Sequence, residues 1–106
     1  MTSMKDRQDG FEKKFAHDEE LKFKATARRN KLLGVWAAEK LGKSGAEADA
    51  YAKEVVISDF EEAGDDDVFR KVRGDFDKAG ISVSDHQIRH AMADLMATAV
   101  DQITNS

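Results

Sequence analysis

Between Arg7 and Gly42 nothing in the sequence stops a helix. The 106-residue chain contains no proline, so no backbone N–H is missing and no ring blocks a helical turn. Punctuation falls to glycine. Gly42 suits the left-handed position that follows a helix, and Gly64 and Gly80 recur in the same role farther along. No segment alternates apolar and polar residues with period two. Four helices and no sheet are therefore expected: an all-α, four-helix bundle with a flexible N-terminal arm.

The start signals fit that division. "SGAE" offers a capping box, with Ser44 accepting from the backbone three residues on and Glu47 reaching back. The second helix is expected over roughly 45–63. "DDD" (Asp65, Asp66, Asp67) supplies an N-cap and first-turn carboxylates to a third helix, in which Val68, Val72, Phe76 and Ala79 recur at helical spacing. "VSDHQI" is the strongest start signal: Ser84 caps, Gln87 completes the box and Val83 can staple against Ile88. The fourth helix carries Ile88, Ala91, Met92, Leu95, Ala99 and Ile103 on one side.

The first helix divides into two parts. Phe11, Phe15, Leu21, Ala25, Leu32 and Trp36 share a broad face at about 100° per residue, but Asp18, Lys22 and Arg29 interrupt it. Beyond Leu32 the pattern is dense, with Leu33, Trp36, Ala37 and Leu41. Gly10 weakens the first part by about 1 kcal/mol relative to alanine. The expected organisation is a flexible arm over 1–20, frayed when alone, and a bundle over 21–106. On an arm otherwise made of charge, Phe11 and Phe15 either fold back onto the bundle or enter a partner's groove as an amphipathic helix.

Charge separates the same parts. Residues 1–31 hold nine basic and six acidic residues, whereas the remainder holds eight basic and fifteen acidic, for a net charge of −4. A mildly basic arm on an acidic body suggests contact but is too weakly basic to imply nucleic acid.

Other chemistry is largely excluded. Without cysteine there is no disulfide, thiolate metal site or thiol nucleophile. No apolar run approaches the ~18 residues of a membrane span, and no signal-peptide pattern opens the chain; a soluble, cytosolic protein is expected. No glycine-rich phosphate loop and no supported Ser/His/Asp pattern is present. His86, His90 and Asp94 have helical metal-ligand spacing, but such pairs are more often surface polar residues, and no metal is expected. "ARRNK" (Ala27–Lys31) could bind phosphates; more often such a cluster snorkels or pairs with acidic neighbours, here the second and third helices. Asp59 shares a face with Val55, Val56 and Phe60. It caps a neighbouring helix or pairs with an arginine, since one lone carboxylate makes a poor acid–base site. Trp36 and Tyr51 read as core residues.

The stretch "FEKKFAHDEELKFKATARRNKLLGVWAAEKLGKSGAEADAYAKEVV" resembles the zeta subunit of alpha-proteobacterial F-type ATP synthases. The likeness continues through "DFEEAG" and Asp67-Val68 and covers almost the whole chain; "RRNKLLG" with "WAA" just beyond it is its most distinctive part. The resemblance implies a four-helix bundle that is not an enzyme but inhibits ATP hydrolysis by the catalytic head, whose alpha, beta and gamma subunits are the partners. An N-terminal segment enters an interface between catalytic alpha and beta subunits. Carried onto this sequence, that segment is approximately Met1–Glu19, with Phe11 and Phe15 as anchors and Lys5, Arg7, Lys13 and Lys14 as charged contacts. Gly10 departs from the helix former expected there. The resemblance further implies a monomer when free, held at the cytoplasmic side of the inner membrane through the synthase, without nucleic acid and without direct membrane insertion. It also implies weak adenine nucleotide binding, for which no motif is recognisable, and no cofactor is expected. A non-inhibitory helical adaptor or nucleotide-sensing module is the alternative.

Overall fold

The computed structural model describes residues 4–60 and 65–104, with side chains described from residue 19 onward. Helix α1 spans Met4–Lys40, α2 Ala46–Ser58, α3 Asp66–Ala79 and α4 Asp85–Thr104. No strand occurs among the described residues. Helix α1 packs mainly against α2 and α4, and α3 closes the bundle against α2 and α4.

Glycine ends two of the helices as expected. Gly42 has φ 77°, its N–H donates to Glu39 O at 3.1 Å, and Lys43 N–H reaches Ala38 O at 2.9 Å. Gly80 repeats the pattern with φ 69°, as Ile81 N–H donates to Phe76 O at 2.9 Å. Both are Schellman motifs, in which the left-handed residue lets the chain satisfy the last carbonyls. At the start of α4 the capping box forms in full: Gln87 N–H donates to Ser84 Oγ at 3.1 Å, and Ser84 N–H donates to Gln87 Oε1 at 2.8 Å. Val83 and Ile88 are both buried beside it.

The start and end of α2 differ from expectation. Gly45 occupies the N-cap position with φ 57° and ψ −129°, and no side chain caps the helix. Ser44 is thereby moved one residue outside the helix, and its box with Glu47 does not form. The helix stops at Ser58, short of 63, with Asp59 as its C-cap residue. Ser58 Oγ donates to Val55 O at 2.6 Å, and Phe60 faces solvent. Gly64, the expected stop, lies outside the described residues.

The core centres on Leu33 and Ala37 of α1, Val55 of α2, Val72 and Phe76 of α3, and Ile88 of α4. Ala79 is exposed, because it falls beside the terminating Gly80. Trp36 sits at the rim rather than in the centre and is only half-buried. Its ring meets Phe76 edge-on at 5.8 Å, and the Lys40 ammonium lies 5.1 Å from its centroid. Tyr51 is buried as expected, and its hydroxyl donates to Asp75 Oδ2 at 2.7 Å. Burial and this bond to a carboxylate hold the phenol far above its ordinary pKa. Tyr51→Phe should lower stability by about 1 kcal/mol, since Asp75 keeps Lys71 at 3.0 Å. A urea titration of the two proteins would measure it.

Candidate functional site

The arm comes first in the chain. Lys5, Arg7, Phe11, Lys13, Lys14 and Phe15 belong to the same continuous helix, α1, that enters the bundle. Their side chains lie outside the described residues, as does the expected fraying of the arm.

Where α1 becomes part of the bundle it carries a buried polar clamp. Arg29 is 1% exposed and Asn30 is 1% exposed. Arg29 Nε donates to Asn30 Oδ1 at 2.8 Å, and its Nη2 donates to Asp65 Oδ1 at 2.8 Å. The Asn30 side chain also lies beside the Asp59 carboxylate and favours its charged form. Arg29 is therefore not a break in the packed face of α1; it is the cation that joins α1 to the end of α2 and the start of α3. Asp65 is consequently drawn to the arginine and makes no side-chain cap on α3. Asp67, buried beneath, accepts from Arg70, and its Oδ2 has no hydrogen-bond partner among the described residues. The pairing reading of "ARRNK" holds for Arg29.

The Asp59 pKa is raised, chiefly by burial and also by Asp65 and Asp67; Asn30 and Arg29 oppose the rise. A carboxyl whose folded pKa exceeds its unfolded value, about 3.9, supports the fold fully below that value. That support is lost as pH rises through the folded pKa. Asp59→Asn should remove this component, leaving the variant at least as stable as the parent at pH 7 and gaining less on acidification from neutrality. Melts across pH 4–7 would show a parent-minus-variant difference that shrinks with rising pH.

Other candidates have weaker geometry. His86 and His90 stack with centroids 6.3 Å apart, and His90 Nε2 lies 3.1 Å from Asp94 Oδ2. They line an open groove of 470 Å³ walled by Trp36 and Leu95. No cluster of three His, Cys, Asp or Glu residues among those described could hold a metal. No helix among the described residues is long and apolar enough to cross a membrane.

A third feature escaped the sequence reading. At Gly34 an added Cβ would lie 2.5 Å from Ala52 Cα, so α1 and α2 touch there backbone to backbone. One turn back, Asn30 meets Asp59, and α2 ends. Phe23 lies on the same stripe of α1, at helical spacing through Ala27, Asn30 and Gly34, and is 68% exposed. Ile57 and Phe60 are 63% and 72% exposed. The signal was present as a second period along α1 that its dominant apolar face obscured.

The likenesses to known proteins agree with this geometry. A chain solved in solution by NMR is 54% identical, with a TM-score of 0.72; the match covers 80% of this chain and 96% of that one. No curated protein matches. The family model described as ATPase inhibitor subunit zeta matches residues 1–102, from the charged arm into the last turn of α4. With the match spanning nearly the whole sequence, the chain belongs to the ATPase inhibitor subunit zeta family.

Proposed function

We propose that this chain inhibits ATP hydrolysis by the catalytic head of an F-type ATP synthase. The arm over 1–20 inserts at a catalytic alpha/beta interface and reaches toward gamma, and the bundle over 21–106 stays outside. The observation that carries this reading is the family match, which begins at residue 1 and so includes the arm. The arm's composition supports it. Phe11 and Phe15 stand one turn apart among charges, and aromatic anchors dominate many such contacts at about 2 kcal/mol or more each. Lys5, Arg7, Lys13 and Lys14 act mainly on encounter rate and salt dependence. Gly10 raises the free energy needed to order the arm as a helix by up to ~1 kcal/mol. The protein works stoichiometrically, as a monomer, from the cytoplasmic side of the membrane that holds the synthase.

Titration of the purified chain into the cognate catalytic head, with ATP hydrolysis followed, tests the reading. Hydrolysis should fall to a low plateau. Deleting residues 1–19 should abolish that fall and leave a cooperative thermal melt, because the caps and core lie beyond the deletion. A saturated complex that hydrolyses ATP at the full rate would select the adaptor alternative.

A further inference from the structure

We propose that the junction of α2 and α3 is a proton-operated latch. A proton on the Asp59 carboxyl holds the junction against α1. Its loss frees the end of α2 and the first turn of α3, while the rest of the bundle stays folded.

Without that proton the charges at the junction do not match. Asp59, Asp65, Asp66 and Asp67 meet three guanidinium groups, each from a different helix. Arg29 of α1 pairs with Asp65 at 2.8 Å, Arg70 of α3 with Asp67, and Arg89 of α4 with Asp66 at 3.1 Å. Asp59 has no arginine of its own among the described residues. Of the groups that face it, Arg29 on α1 is already engaged by Asp65, Asn30 is neutral, and Asp65 and Asp67 on α3 repel it. Asp67 adds to the mismatch, because its buried Oδ2 receives no donor. An unmatched carboxylate that is partly withdrawn from water is disfavoured, and a proton on Asp59 removes the unmatched charge. Burial of Asp59 acts in the same direction.

Local structure makes this junction the weak joint of the bundle. Helices α1 and α3 end in the Schellman turns at Gly42 and Gly80, and α4 begins with a full capping box. The end of α2 has no such turn. Asp59 keeps a right-handed conformation, with φ −70° and ψ −13°. The N–H groups of Asp59 and Phe60 reach back only three residues, to Val56 O at 3.3 Å and Ile57 O at 3.0 Å. The start of α3 has no side-chain cap. Both ends therefore depend on Arg29 and Asn30 for support. Helix ends without caps leave backbone groups unsatisfied, and such segments open at lower free energy than the core.

The test is amide hydrogen exchange in the full-length chain, from about pH 4 to about pH 7, across and above the ordinary aspartate range. Each rate is divided by the intrinsic rate at that pH. Phe69 N–H, which donates to Asp65 O at 3.1 Å, and Phe60 N–H report the junction. Met92 and Leu95 in α4 report the rest of the bundle. In the parent, protection at Phe69 and Phe60 should fall severalfold as pH rises, while protection at Met92 and Leu95 should not. A carbon-13 titration of the Asp59 carboxyl should share its midpoint with the change at Phe69. Asp59→Asn presents a neutral group of the same shape and should hold the junction shut at every pH. The carboxyl titration is made on the parent and keeps the test open should the variant fold poorly. Protection at Phe69 that does not change with pH would overturn the proposal. So would a pH dependence that persists in Asp59→Asn, a carboxyl midpoint unrelated to the opening, or a loss at Met92 and Leu95 in step with Phe69. No catalytic head is needed, so the outcome is independent of the inhibitory reading.

Discussion

Phe76→Ala is expected to lower stability by about 3–5 kcal/mol. The ring is 0% exposed and sits where α3 meets the rim of α1, edge-on to Trp36. Val72 and Val68 bury the same face of α3 one and two turns earlier. A domain of this size is commonly stable by only about 5–15 kcal/mol, and one truncation would remove a large share. The midpoint of a urea titration should fall with little change in slope. Trp36→Ala should have the smaller effect of the two. Its indole was expected in the core, and the structure packs it against the core at the rim, partly buried, with the Lys40 ammonium over its ring.

Gly34→Ala should also destabilise, for the opposite reason. The new Cβ would lie 2.5 Å from Ala52 Cα, 3.0 Å from Ala52 Cβ and 3.3 Å from Ala52 O. None of these is the end of a flexible side chain, so the helices themselves must separate. Overpacking of this kind typically costs about 1–3 kcal/mol, while alanine's better helix propensity returns about 1 kcal/mol. The net loss should be near 2 kcal/mol if the clash is at the upper end of that range. Spreading α1 from α2 would also strain the Asn30–Asp59 contact one turn away. Gly74→Ala in α3 is the control, because nothing lies within 4 Å of its added Cβ. There propensity acts alone and stability should rise by up to ~1 kcal/mol. Thermal melts of the two variants should move in opposite directions.

Local signals in the sequence were reliable where a neighbour did not compete. The Ser84–Gln87 box and the glycine stops at 42 and 80 involve residues within one turn, and they form as read. The Ser44 box failed because Gly45, the next residue, adopts a positive φ and takes the cap position itself. Arg29 was read as an interruption because its partner Asp65 is 36 residues away, and no periodicity reveals that meeting. Phe60 was read as part of a buried face because α2 was extended through it. With α2 ending at Ser58 the ring is left exposed, as are Phe23 and Ile57. The six arm residues were singled out by their charge, their aromatic spacing and the family resemblance; their side chains lie outside the described residues.

The most direct test of the insertion proposal is ATP hydrolysis by the cognate catalytic head, titrated with the parent chain, with Phe11→Ala and Phe15→Ala combined, and with Lys13→Ala and Lys14→Ala combined, at moderate salt. Insertion of the arm predicts strong inhibition by the parent. It also predicts a severe loss in the phenylalanine pair, at about 2 kcal/mol or more per ring, and a modest, salt-sensitive loss in the lysine pair. Full inhibition by the phenylalanine variant, with the lysine variant inactive, would contradict insertion and point to an electrostatic surface contact in its place.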